Sequence, residues 1–460
     1  MTDQHSDASS AVPPRPAVVP AEPYAVPVPT RTQLDNGLTV LAYHLPGQYV
    51  ISVRLAVPMP LRVEERHLEG VATIMARTLD EGTARHTSVE FARLLERRGV
   101  ALGAGVGESG LSVEVDVAKH NLGYALDLMG QCLAEPAFPA SEVERQVTTR
   151  LAEIELERSV AAHRAARQFS ATYFEPEARA SRPVGGTLET VAAVTRDHVV
   201  AFHAQHVAPA EATVVVAGDF AGIDVRAELD ATLGQWRTPP QWRSPGPWDG
   251  ARPAAGRVGI VVVDRPDSVQ TELMVGCPGP DRHTPLGWAP FPMLGFLVGG
   301  SPTARVDAVL REDKGYTYGI RSTFRPRRRD GIFVTAGSVR TEVTADALAL
   351  LLDVLDSARE GFTREETEQG AHYLVLAAPS RYATADTVAD EAAALSFEGL
   401  GTDFSSRILA EVATMTPERL GAAYREFVDG AWTVVLVGDA SQFVDDVRAL
   451  GRGAVTVVDN

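Results

Sequence analysis

Hydrophobic and polar positions along the chain change period several times, and the changes mark out elements. Residues 50–58, VISVRLAVP, and 111–117, LSVEVDV, alternate as strands do. Residues 69–82, EGVATIMARTLDEG, carry apolar positions at helical spacing. Thr87, Ser88, Val89 and Glu90 form a capping box that opens a helix, with Gly99 as its stop. NLGYALDLMGQCLAEP predicts a helix halted by Pro136, and 141–174 read as one long helical pattern. The later chain repeats this order: strands at 258–265 and 269–276, a helix through 291–298, strands at 316–324 and 331–339, then a helix near 344–360.

The ends of the two series match most closely. VTRDHVVAFHAQHVAPAEATVVVAGD closes on Asp219, and MTPERLGAAYREFVDGAWTVVLVGD closes on Asp439. Each predicts a Thr-capped amphipathic helix, a short break and a buried strand ending in Gly-Asp. Gly218 and Gly438 stand 220 residues apart, the spacing of a duplication. The expected fold is α+β: two homologous domains, each a mixed or antiparallel sheet with helices packed on one face. The expected boundaries are a disordered Pro-rich tail over 1–29, a first domain over 30–234, a linker over 235–256 and a second domain over 257–460. Tryptophans in the linker suggest that it lies against a surface.

Composition narrows the function classes. The net charge of −17 disfavours nucleic acid and anionic membrane as partners, because both present phosphate. No window approaches the roughly 20 apolar residues of a membrane span, and the N-terminal segment lacks the pattern of a secretory signal; the expected compartment is the cytoplasm. Lysine occurs only at 119 and 314, a bias expected of a GC-rich bacterial genome. Cys132 and Cys277 stand far apart without metal-like spacing, and Cys132 reads as a buried helical thiol. His203 and His206 could share a helical face but have no third ligand in view, so a core or surface role is expected. The Gly-rich run at 103–110 has no basic residue after it to bind phosphate and reads as a strand edge or turn.

Two segments carry the chemistry. Residues 69–83, EGVATIMARTLDEGT, have the frame G-[LV]-A-H-x-x-E-H…G-T, and residues 298–322, VGGSPTARVDAVLREDKGYTYGIRS, are similar to LGGxxxSRLxxxLREkxGLaYxv. LDNGLTVL (34–41), RPVGGT (182–187) and VQTEL (269–273) match as well. Together these resemble the pitrilysin/insulinase family of inverted zinc peptidases, in its processing-peptidase-like branch, over roughly residues 30–460. The resemblance implies two homologous α+β domains forming half of a clamshell around a chamber.

By the same resemblance, the first histidine position is Thr73, the glutamate base is Ala76 and the second histidine is Arg77. The third ligand falls at Glu153, and a supporting carboxylate has become Gln146. Two imidazoles, a carboxylate and a glutamate base are what such zinc chemistry needs, so no metal is expected in this chain. Arg77 places a cation where the metal would sit, and an Arg77–Glu153 salt bridge is expected.

The second segment keeps its functional pair. In the family, the residues matching Arg311 and Tyr318 reach across the chamber to the substrate, with the Gly299-Gly300 turn beside them. A guanidinium and a phenol held in place can stabilise charge on a scissile carbonyl oxygen. In catalytic chains an edge strand with polar residues receives substrate; here that strand reads ALGAGVGESG, which suggests that it receives none. The resemblance therefore implies the non-catalytic chain of a heterodimer. Its homologous HxxEH partner would carry the zinc and cleave extended peptides or leader peptides, while this chain, without a cofactor of its own, supplies Arg311 and Tyr318. The alternative is a structural or peptide-binding scaffold without a catalytic share. An active homodimer with a different metal site finds no ligand set in the sequence.

Overall fold

The computed structural model describes residues 24–246 and 250–460. They form two six-stranded mixed sheets. In the first, β1 (Thr30–Gln33), β2 (Thr39–His44), β3 (Val50–Pro58), β4 (Ala101–Gly107), β5 (Gly110–Ala118) and β6 (Thr213–Gly218) lie in the order β1-β2-β6-β3-β5-β4. In the second, β7 (Gly259–Asp264), β8 (Gln270–Pro278), β9 (Ile320–Arg325), β10 (Ile332–Arg340), β11 (Thr433–Gly438) and β12 (Val455–Asp459) lie in the order β12-β7-β11-β8-β10-β9. Strands β2 to β6 thus have counterparts in β7 to β11, with one parallel pairing in each set, β2 with β6 and β7 with β11. Only the edge strands beside β2 and β7 differ. β1 comes from the start of the chain and pairs antiparallel with β2, while β12 comes from its end and pairs parallel with β7.

The repeated Gly-Asp pairs end β6 and β11. A Cβ on Gly218 would come within 2.4 Å of Ile51, and one on Gly438 within 2.5 Å of Thr271, the matching positions of β3 and β8. The aspartates then fasten the next turn. Asp219 accepts from the backbone N–H groups of Gly47 and Ala221 and from Lys119 Nζ, and these bonds hold its carboxyl down at about 2.

Each half's own helices pack on one face of its sheet. In the first half Ile51, Val53, Leu55 and Val57 of β3 meet Ile74 and Met75 of the Val71–Arg77 helix and Leu126 and Met129 of the Leu122–Ala134 helix. Cys132 lies buried on the last of these, as its sequence context predicts. The opposite face of each sheet is covered by one helix from the other half. Leu41, Tyr43, Ala56, Val215 and Ala217 pack on the Ala385–Glu398 helix through Ala385, Val388, Ala389 and Ala392. Reciprocally, Val263, Met274, Val334, Val435 and Val437 pack on Ala165, Phe169 and Tyr173 of the Ala161–Tyr173 helix. Burial on both sides explains why β6 and β11 are continuous apolar runs rather than alternating ones.

Three expectations about elements need correction. The pattern at 141–174 is two helices, Ala140–Ser159 and Ala161–Tyr173, broken where Val160 turns extended (φ −95°, ψ 115°) so that the second reaches the other sheet. The helix at 69–82 is only Val71–Arg77, its remainder being turn. Tyr318 lies in the loop before β9 rather than on a strand.

In the segment expected as a linker, Trp236 is buried in the first core and Ala251 packs in the contact between halves; residues 247–249, with the third tryptophan, lie outside the described residues. Residues 1–23 of the expected tail do so too, while Tyr24 stacks on Tyr382 of the second half.

Candidate functional site

The Val71–Arg77 helix begins at Gly70, whose φ of 104° suits glycine. Its first N–H groups are satisfied by a distant carboxylate: Glu64 Oε1 accepts from Gly70 N (3.0 Å) and Ala72 N (3.1 Å). Burial raises the Glu64 carboxyl above its ordinary range, although Arg179, at 2.8 Å from Oε2, pulls the other way. Arg182 grips the neighbouring Glu69 at 2.7–2.9 Å. A lattice of buried ion pairs therefore fixes the start of the helix.

The helix also bears Thr73, Ala76 and Arg77, which by the sequence resemblance stand at the expected metal positions. Thr73 Oγ1 is buried without a hydrogen-bond partner among the described residues, and Ala76 is buried among apolar neighbours. Arg77 donates from Nη1 to Glu153 Oε1 (2.9 Å) and from Nη2 to Oε2 (2.8 Å), the bidentate pair expected from the sequence. Arg150 reaches the same carboxylate at 3.1 Å and also holds Glu157 and the Gly185 carbonyl. The Arg77 hydrogen bonds, with a smaller share from Arg150, hold the Glu153 carboxyl below its usual range against the opposing effect of partial burial. These residues do not fit zinc. The one carboxylate is occupied by two guanidinium groups, and the remaining positions offer a hydroxyl, a methyl and a cation. Among the described residues no group of three or more His, Cys, Asp and Glu side chains could hold a metal ion.

The second segment is built around close approach. Gly299 leaves helical geometry (φ −160°, ψ 20°), and a Cβ there would sit 2.4 Å from Ser322 Oγ of β9; one on Gly300 would sit 2.8 Å from the Gly295 carbonyl. Both glycines thus have a packing reason to be where they are. The chain then runs as helix over 305–313 to Gly315, whose N–H donates to the Arg311 carbonyl. The Arg311 side chain is part-exposed, and its one ion pair among the described residues is with Glu312, at 3.4 Å. Tyr318 is 95% exposed and has no hydrogen-bond partner within the described residues. The two side chains stand at either end of one turn, both open to solvent and not bonded to each other.

The remaining candidates resolve simply. β4 is the outermost strand of the first sheet, so the Gly-rich run is a sheet edge ending in the 108–109 turn. His203 is buried, bonds the Leu133 carbonyl at 3.1 Å and meets Phe138 edge-on. Burial pushes its imidazole down to about 4, and that of His206 likewise. Both are packing residues. Sequence reasoning missed Arg150, Arg179 and Arg182. RPVGGT pointed to Arg182, but its partner Glu69 stands 113 residues away and no local pattern links them.

Residues 39–183 match the model of the insulinase family, peptidase family M16, and residues 193–374 match that of the peptidase M16 inactive domain. An uncharacterized zinc protease of Mycobacterium tuberculosis is 28% identical over 356 residues, 75% of this chain and 78% of that protein. One of Streptomyces coelicolor is 23% identical over 89% of each chain. A non-peptidase homolog, YmxG of Helicobacter pylori, is 21% identical over 81% of this chain and 86% of its own. Among solved structures, a peptidase M16 inactive domain from Pseudomonas fluorescens superposes with a TM-score of 0.81 at 22% identity, covering 89% of this chain and 98% of that one. A chain of complex III2 from Candida albicans superposes at 0.76 with 13% identity, covering 93% and 100%. Among the described residues no helix is long and apolar enough to cross a membrane.

Proposed function

Because the chain belongs to the M16 insulinase family of peptidases, we propose that it is the non-catalytic, substrate-binding subunit of a heterodimeric zinc peptidase that cleaves peptides or leader peptides. One observation carries this reading. The metal positions are filled by Thr73, Ala76 and an Arg77–Glu153 ion pair, while Arg311, loosely paired with its neighbour Glu312 at 3.4 Å, is part-exposed and Tyr318 is open to solvent. The Tyr318 ring, 95% exposed, is free to meet a group outside the chain. The homologous partner would carry the HxxEH motif and the zinc. This chain's part is to donate hydrogen bonds from the Arg311 guanidinium and the Tyr318 hydroxyl to the peptide carbonyl oxygen on which charge develops. The two groups flank one helix-to-strand turn, Arg311 at its helical end and Tyr318 in the loop before β9.

The test is peptide hydrolysis by the purified partner, alone and with this chain. Activity is expected only in the pair. Arg311→Ala together with Tyr318→Phe should lower kcat by about 10²-fold or more, the scale of removing an oxyanion donor, with assembly intact by size-exclusion chromatography. Full activity of the partner alone, or of the pair carrying the substituted chain, would sink the reading. That second outcome would favour a scaffold without a catalytic share, a reading supported by the likeness to the non-peptidase homolog.

A further inference from the structure

A cavity of about 720 Å³ opens where the two halves meet, between the junction of the Ala140–Ser159 and Ala161–Tyr173 helices, the 177–186 loop and the β9–β10 hairpin. Its size lies in the range of pockets that take drug-sized ligands. Leu61, Ile154, Phe174 and Ile332 give it apolar wall. Its charged lining is unusual for a chain of net charge −17. Arg179, Arg182 and Arg327 line it and are each held by a carboxylate of the chain, Glu64, Glu69 and Glu108 respectively.

Four further arginines in the wall are not so neutralised. Arg167 and Arg325 are exposed and have no partner among the described residues. Among the described residues Arg164 donates to neutral oxygens, Gln168 Oε1 at 2.9 Å and the Asp459 carbonyl at 3.2 Å. Arg158 has only a loose pair with Glu155 at 3.6 Å. On the opposite side of the balance, Glu157 is engaged by Arg150 and only Glu177 stands exposed without an arginine at salt-bridge distance. The extended residue Val160 is what brings Arg158, at the end of one helix, beside the same space as Arg164 and Arg167 of the next. Burial and the neighbouring Arg167 and Arg158 make the charged form of Arg164 harder to hold, a cost that a bound anion would relieve.

We propose that this cavity binds a short acidic peptide segment, with apolar side chains against Leu61, Ile154, Phe174 and Ile332 and carboxylates on Arg158, Arg164, Arg167 and Arg325. Nucleic acid offers the same negative charge, but the acidic bulk of the molecule repels a long polyphosphate and the wall has apolar surface that phosphates cannot use. The inference rests on the reading of this chain as a peptide binder. It requires neither Arg311, Tyr318 nor the partner, so it is tested on this chain alone.

The probe is a fluorescein-labelled peptide of about ten residues alternating Glu and Leu, followed by anisotropy at low salt. A Gln-for-Glu peptide and a single-stranded oligonucleotide of equal length are the controls. The acidic peptide should bind at least about tenfold more tightly than the Gln peptide, and added salt should weaken it. Arg167→Glu with Arg325→Glu, both at exposed positions, should weaken it by about tenfold or more with an unchanged melting curve. Should that variant melt early, Arg164→Gln with Arg167→Gln replaces it, with the same loss expected. Equal binding of the two peptides, unchanged binding by a folded variant, or tighter binding of the oligonucleotide would each overturn the proposal. Acidic-peptide binding that persists while Arg311→Ala and Tyr318→Phe leave the paired activity unchanged would instead overturn the catalytic role and spare the cavity.

Discussion

Arg77 and Arg150 share the Glu153 carboxylate but differ in how much depends on them. Arg77 and Glu153 are each about a third exposed, at 31% and 36% of their side chains, so water screens their pairing. Arg150 is 7% exposed, holds Glu153 and Glu157 together and satisfies the Gly185 carbonyl. Arg77→Ala should therefore cost at most about 1 kcal/mol of stability, and Arg150→Ala about 2 kcal/mol or more through lost packing and an unsatisfied carbonyl. Urea unfolding of both variants measures this, and equal costs would contradict it. His203 gives the residue scale a pH dependence. Its folded-state pKa of about 4 lies below the ordinary value near 6.5, so between those pH values the unfolded chain binds more protons than the folded one. Stability is then full above about pH 6.5, falls as the pH drops towards 4 and loses nothing further from this group below that, about 3 kcal/mol at most. Unfolding midpoints compared at neutral pH and pH 5 should show a smaller acid loss in His203→Gln than in the parent. That Arg77 would meet Glu153 was legible because a helical frame and a spacing of 76 residues between two helices pointed to it. The arginines around them were not, because each pairs across more than a hundred residues or, like Arg150, looks in sequence like a solvated helix charge.

At the scale of elements, what is local was readable. The Thr87 capping box forms with both of its hydrogen bonds, Gly99 stops that helix at φ 60°, and Thr195 and Thr416 cap the two repeat helices. Each depends on residues within one turn, so the signal and the structure lie in the same stretch. The break at Val160 had no such signal. ELERSVAAHRA contains neither Gly nor Pro, and helix formers stand on both sides. The chain breaks there because Ala165, Phe169 and Tyr173 have to reach the second sheet, and that demand is tertiary. The apolar runs of β6 and β11 hinted at it, since a strand buried on both faces needs a second layer. Nothing in the sequence said that the layer would come from the other half.

That exchange decides how the molecule behaves as a whole. Interfaces between domains of one chain are commonly polar and permit relative motion. Here the interface includes the second apolar face of each sheet, covered by a helix of the other half. Charged groups reinforce it. Arg54, buried in β3, pairs with Asp390 of the Ala385–Glu398 helix at 2.5 Å as well as with Asp116, and Arg327 of the second half pairs with Glu108 while lying over the ring of Phe174. A first half made alone would expose Leu41, Tyr43, Ala56, Val215 and Ala217 and leave Arg54 without Asp390. A second half made alone would bare Val263, Met274, Val334, Val435 and Val437. Neither 24–246 nor 250–460 should then be a stable monomer on its own, and the two should recover a folded complex when expressed together. The intact chain should melt in one calorimetric transition, because losing either half strips the other of its covering helix. Ala389→Glu, which puts a charge against β3 and β6, should lower that transition and expose dye-binding apolar surface from both halves at once. Two separate transitions in the parent, with only one of them moved by Ala389→Glu, would mean that the halves fold independently and that the exchanged helices merely rest on the sheets they cover.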